Sequence, residues 1–287
     1  MDAAERELLA ETLRETMTAA SGYGLDAALV ALGWPDLLAE LPDVAIPMVF
    51  RLLGETGAQA PLLNDVVLNA AGRPTGHTVP LRYAGGRWVL WERTEGSLPR
   101  GEMPGGSGPS GSGVSPGGTA SPRASTTLDG DLPLHPVPAG DPVPLAAGRR
   151  TLGWWLAGTG RAMLALARSH ALDRIQFGHP LASFQAVRHR LAETLVALEG
   201  AEATLLAATD DLGSLLAKAA AGQAALAAVR HCQQVLGGVG FTAEHGLHRH
   251  VRRALVLDGL LGSARGLTRE AGALLRTEHS APRLVHL

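Results

Sequence analysis

Arg174-Ile-Gln-Phe-Gly-His-Pro-Leu-Ala-Ser-Phe-Gln185 sets a cation, two aromatics and two amides at fixed offsets between two long apolar-periodic segments. Upstream, residues 149–172 contain no proline and carry Leu152, Trp155, Leu156, Thr159, Met163 and Leu166 at helical spacing. Downstream, Phe184, Val187, Leu191, Leu195 and Leu198 recur at three and four residues. The stretch therefore joins two antiparallel helices. Gly178 and Pro180 end the first, because glycine is permissive and proline restrains the residue before it, and Ser183 is placed to cap the second. Further helical patterns at 183–210, 215–236, 244–256 and 262–279 have short connections, which predicts an up-down bundle. Gly153, Gly158 and Gly160 would let its helices approach closely.

The chain has 287 residues, 46% hydrophobic and 18% charged, enough for one large domain or two modest ones with a real core. All but one of its 25 basic residues are arginine, scattered rather than blocked, and the net charge is -2. That pattern gives neither a nucleic-acid footprint nor a polybasic membrane patch. The lone Cys232 excludes an internal disulfide and reads as a buried small hydrophobe. The polar, acidic start lacks the basic n-region of a signal peptide, and Lys218 and Gln223 interrupt the alanine-rich stretch before it reaches the length of a membrane span. A cytoplasmic location is expected.

Residues 2–20 form an amphipathic helical pattern, and 24–41 hold two short ones broken at Gly33-Trp34-Pro35. A third covers 43–55, with Pro47 tolerated only in a first turn. From His77 the period changes. Val79, Leu81 and Tyr83, then Gly85-Gly86, then Trp88, Leu90 and Glu92 read as a β-hairpin. A second strand pair is possible over 126–144, where Pro133, Pro136 and Pro138 confine it to a sheet edge. Residues 100–125 are mostly Gly, Ser and Pro, the composition of a disordered loop. The expected organisation is an amino-terminal helical region (1–75), a reduced β region (76–147) and a helical bundle (148–287).

The quoted stretch, R-x-x-F-G-x-P-L-x-x-F-Q, resembles the flavin-contacting turn of acyl-CoA dehydrogenases. Gln234-Val-Leu-Gly-Gly-Val-Gly-Phe-Thr-Ala-Glu244, followed by Leu247 and Arg252, is similar to that family's Q-x-x-G-G-x-G-[FY]-[ST]-x-E segment. The resemblance is good over 149–279, extends to the helices of 25–68, and fails between, where the family's β module is abbreviated. It implies a mostly α, acyl-CoA dehydrogenase-like fold and FAD as cofactor. By carry-over from matching positions, Arg174 would bind the pyrophosphate, Phe177 would pack on the flavin, and Gln185 and Gln234 would bond its adenosine side. Physical chemistry agrees in part: a guanidinium fork suits a pyrophosphate, and the missing Cβ at Gly237 and Gly238 lets backbone approach a nucleotide. Arg174 could also simply be a helix C-terminal cation, and Gly-Gly-x-Gly an ordinary helix stop.

The family's commonest base is the Glu of a Tyr-Glu-Gly-Thr segment, and ungapped counting from Gly237-Gly238 puts Leu261-Gly262-Ser263 on that segment. The alternative family position falls near Gly148, again without a carboxylate. Asp258-Gly259 would imitate Glu-Gly only if three residues were deleted, and Arg253 replaces the family's usual Asp. Since the family's flavin contacts cross a dimer interface, the resemblance implies a catalytically incomplete subunit. A catalytic acyl-CoA dehydrogenase partner would share the FAD, as in pairs that act on steroid-type CoA thioesters. Two other readings stand beside it: a helical scaffold that has lost flavin, and a self-sufficient homodimer with Asp258 as base. Glu244, His245, His248 and His250 read as an exposed polar helix rather than a metal site. Trp34, Trp154 and Trp155 read as core or interface aromatics.

Overall fold

The computed structural model describes residues 1–93 and 128–278. The expected disordered loop at 100–125 lies outside the described residues. The amino-terminal helices are α1 (Ala3–Ala19), α2 (Tyr23–Ala31), α3 (Trp34–Glu40), α4 (Pro42–Thr56) and α5 (Leu62–Ala70). A sheet of β1 (Pro80–Tyr83), β2 (Arg87–Trp91) and β3 (Leu134–Val137) follows, and then the bundle begins with α6 (Ala146–Asp173). The two-stranded hairpin β4 (Ile175–Gln176) and β5 (His179–Pro180) leads to α7 (Gln185–Ala207), α8 (Asp211–Leu236), α9 (Leu247–Gly259) and α10 (Ala264–Glu278).

The 28-residue helix α6 is the axis of the molecule, packed by α4, α5, α7, α8 and α9. Its glycines set the distances. A Cβ at Gly158 would collide with the Arg51 carbonyl of α4, and one at Gly54 with the α6 backbone at Trp155 and Thr159, so the two helices cross backbone to backbone. Leu205 and Leu198 of α7 lie over Gly153 and Gly160. At the same level Trp155 is fully buried, stacked on Trp91 (5.6 Å, 22°) and tilted against Phe50 (5.7 Å). Truncating an aromatic in such a site costs about 3–5 kcal/mol. The helix α8 is long and apolar enough to cross a membrane by composition alone, but it packs on α6, α7 and α10 as a core helix.

The sheet has the order β1-β2-β3, both pairs antiparallel, with β3 on an edge. Only one strand forms among the described residues of 126–144, because prolines remove the donors a second ladder would need. The buried face of β2 is Val89 and Trp91, opposite to the phase read from Trp88 and Leu90; Leu81 pairs with Val89 on that face. Pro47 lies past the first turn of α4, and the carbonyl its ring leaves without a donor belongs to exposed Asp43. The expected break after Asp210 falls earlier, since Asp210 Oδ1 accepts from the Gly213 N–H (2.6 Å) and caps α8. The short helix expected at 244–256 is α9, three residues later. It is amphipathic rather than exposed: His250 and Arg253 are buried, and Arg253 donates to Asp129 Oδ2 (2.5 Å) and the Ala58 carbonyl (3.0 Å).

Candidate functional site

The end of α6 carries the first motif. Arg174 is its C-cap, leaving the helix in an extended conformation with its N–H on the His170 carbonyl (2.9 Å). Ile175 pairs with Pro180 and Gln176 with His179, so Phe177-Gly178 is a two-residue turn with both φ positive (54° and 78°). Such turns favour Asn-Gly or Gly-Gly, and a bulky aromatic in the first position is strained. Phe177 is held there 89% exposed. Ser183 does not cap α7: its hydroxyl donates to the Pro180 carbonyl (2.7 Å) in a 3-10 turn, and the helix begins at Gln185 behind an extended Phe184.

Around this hairpin the surface is apolar where a free surface is normally polar. Leu172, Ile175, Phe177 and Phe184 are exposed, together with Arg174 and Gln185, and at the end of α8 Gln234, Gly238 and Phe241 are exposed as well. With the Gln176 amide oriented to accept, Arg174 donates to its Oε1 from Nε (3.2 Å) and Nη2 (2.7 Å), and no carboxylate among the described residues pairs with it. Gly237 (φ 63°) and Gly238 close α8 and open a 3-10 turn, and a Cβ on either would meet nothing within 4 Å. The glycines are thus open to a ligand's approach and not filled by packing. Burial, and after it the neighbouring His245 ring and Arg174 guanidinium, lower the pKa of His170, one turn back.

The segment at the family's base position lies at the other end of α6. Leu261 is buried, with φ 53°, and is the second of two non-glycine residues with positive φ among those described, Phe177 being the first. A Cβ on Gly148 would reach Leu261 Cδ1 at 2.7 Å and Val67 Cγ2 at 3.1 Å, so the leucine fills the cleft between α5 and α6. Its N–H donates to the Arg82 carbonyl (2.8 Å) and its carbonyl accepts from Arg149 Nε (3.3 Å). Ala84 N–H donates to the Gly259 carbonyl (2.8 Å), so strand β1 is docked on this loop. Asp258 Oδ1 accepts from the Ala264 N–H (2.9 Å) and caps α10.

Residues 143–269 match the acyl-CoA dehydrogenase C-terminal domain. That stretch of the chain is similar to this domain. Acyl-CoA dehydrogenase FadE34 of Mycobacterium tuberculosis is 40% identical over 128 residues, which are 41% of this chain and 18% of that protein. Acyl-CoA dehydrogenase IpdE2 of Mycolicibacterium smegmatis is 32% identical over 147 residues, 50% of this chain and 44% of that one. The chain thus matches less than half the length of either relative. Two solved complexes share the acyl-CoA dehydrogenase fold over nearly the whole chain. A variant of the Tcur3481-Tcur3483 steroid ACAD has a TM-score of 0.70 at 19% identity, covering 97% of this chain and 99% of that one. The ChsE4-ChsE5 complex of Mycobacterium tuberculosis has a TM-score of 0.65 at 18% identity, covering 98% and 99%.

Sequence reasoning missed Lys218. It is fully buried in α8, its Nζ donating to the carbonyls of Asp258 (3.0 Å) and Gly262 (2.5 Å), and burial lowers its pKa to about 7. A single lysine inside an alanine-rich apolar helix was the available signal. Cys232 is buried as expected, its thiol pushed up to about 12 by desolvation. Among the described residues no group of three or more His, Cys, Asp and Glu side chains could hold a metal ion. His250 packs against Gly57 and is lowered to about 4 by burial.

Proposed function

We propose that this chain is the base-lacking subunit of a heteromeric, FAD-dependent acyl-CoA dehydrogenase, cytoplasmic, sharing FAD with a catalytic partner subunit. The reaction is α,β-desaturation of a CoA thioester, with a bulky, steroid-type acyl group as the substrate class. The observation that carries this reading is the placement of two sites on one helix. Leu261 packs on Gly148 near the start of α6 and Arg174 caps its end. At about 1.5 Å rise per residue these positions are roughly 40 Å apart. The Arg174 face therefore cannot serve the base position of its own chain; it suits a cofactor seated in a neighbouring chain.

The residues present fit such a cofactor. Arg174 offers an unneutralised guanidinium to a pyrophosphate, Phe177 an exposed ring for an apolar face, and Gln185 and Gln234 exposed amides. Gly237 and Gly238 supply backbone free of side chains. FAD, when bound, supplies the hydride acceptor of the family's reaction. The proton that accompanies that hydride needs a carboxylate base, which Leu261 cannot be and for which Asp258, engaged in capping α10, is poorly disposed. The proton is thus taken by a side chain of the partner. The fold shared with a complex named a steroid ACAD is in keeping with the proposed substrate class.

The test is Asp258→Asn in the assembled complex. Turnover should stay within about threefold, since a group that does no chemistry has little effect on kcat. A fall of about a thousandfold with flavin content intact would place the base in this chain and end the proposal.

A further inference from the structure

The segments that carry the two motifs meet through a pair of histidines. His170 stands one turn before Arg174 in α6, and His245 directly follows Glu244, the last residue of the second motif. Their rings lie edge to face with centroids 6.4 Å apart, and both residues are half-buried. Hydrogen bonds fix the proton on the His245 ring. The Leu247 N–H, the first of α9, donates to His245 Nδ1 (3.1 Å), so that nitrogen presents its lone pair and the proton of the neutral ring is on Nε2. The His245 carbonyl in turn accepts from His248 Nδ1 (2.8 Å), which closes the turn.

A proton on His245 Nδ1 would break the bond to the first N–H of α9, and would place a cation at a helix N-terminus, where the dipole disfavours it. The same sign holds at His170. Burial, then His245 and Arg174, oppose its protonation, and Asp173 favours it. Glu244 and Arg249, which flank this turn in the chain, are exposed, and solvent screens them. The closed turn therefore binds protons less readily than the opened one. Below about pH 6.5, the ordinary histidine value, the balance moves towards opening as the pH falls.

We infer that the contact between His170 and His245 is a proton-sensitive seam: neutral rings hold the turn of the second motif against the end of α6, and mild acid releases it. The opening of the turn belongs to this chain alone. Its consequence, a weaker hold on the cofactor in acid, rests on the proposed function.

Amide hydrogen exchange of the full chain at about pH 7.5 and about pH 5, corrected for the intrinsic pH dependence of exchange, tests the seam. Protection over residues 242–249 should fall by about tenfold or more at the lower pH, while the middle of α8 stays protected. His245→Asn keeps an acceptor for the Leu247 N–H but cannot take up a proton, so it should hold its protection at both values. His170→Phe retains an aromatic edge without the charge and should remove part of the fall. Equal protection of the unmodified chain at the two values would overturn the inference, as would a fall that persists in His245→Asn. In the complex with the partner subunit, acid should release flavin faster from the unmodified chain than from His245→Asn, and equal release from both would overturn the link to the cofactor. A complex that holds no flavin at either pH would instead count against the proposed function, with the exchange result still deciding the seam.

Discussion

The two ends of α6 treat an awkward residue in opposite ways. At one end Phe177 is held in a left-handed conformation and left exposed, beside exposed Ile175 and Phe184. At the other Leu261 adopts the same conformation but is sealed under β1 and against Gly148. Backbone strain of about 1–3 kcal/mol persists only where the surroundings enforce it, and it gathers at functional positions. In the proposed function, it is the exposed end that a partner subunit covers. The buried end has been closed, with an apolar side chain where the resemblance expects a carboxylate.

Restoring a carboxylate breaks this comparison most forcefully. Leu261→Glu would bury an unpaired charge in a cleft formed by Gly148, Val67 and Leu63, costing about 3–5 kcal/mol in a denaturant melt. Near-native stability together with new activity in the single chain would show that the cleft is not filled. The exposed end should respond in the reverse manner. Arg174→Ala should leave the melt within about 0.5 kcal/mol. In the complex with its partner it should weaken FAD retention by about 2–5 kcal/mol, read from flavin released on dilution.

A third variant sharpens the account of the closed end. Lys218 joins α8 to the loop on either side of Leu261, and burial lowers its pKa from 10.5 to about 7. Between those values the unfolded chain binds the proton that the folded chain releases, so stability rises with pH across the window, by at most about 1.4 kcal/mol per pH unit from this group. Below about pH 7 both states are charged and the contribution is constant. Lys218→Met should flatten the rise, and melts at pH 7 and pH 9 check it. It should also cost about 1–3 kcal/mol at pH 9, since two carbonyls lose their donor.

Much of this architecture was legible in the chain. Helical periodicity located α6, α7 and α8, although only α6 and α8 bury a broad stripe and α7 a narrow one, and Gly153, Gly158 and Gly160 announced close helix approach. The two motifs singled out Arg174 and Gln234, and the structure leaves both exposed. What failed was local. The Ser183 cap failed because a 3-10 turn took its hydroxyl, and the phase of β2 failed because both of its faces are rich in apolar residues. The filling of the cleft by Leu261 was not readable, since it depends on Gly148 and Val67, far from it in the chain. The same holds for Asp258, whose capping bond forms only when α10 turns back over the end of α9.

The most direct measurement is the flavin content of the purified full chain, by absorbance, alone and after co-expression with its partner subunit. The account predicts a colourless protein alone, flavin in the complex, and loss of that flavin when Arg174 in this chain becomes Ala. A stable yellow protein with about one FAD per chain, obtained without any partner, would contradict it, because the Arg174 face lies roughly 40 Å along α6 from the chain's own closed cleft.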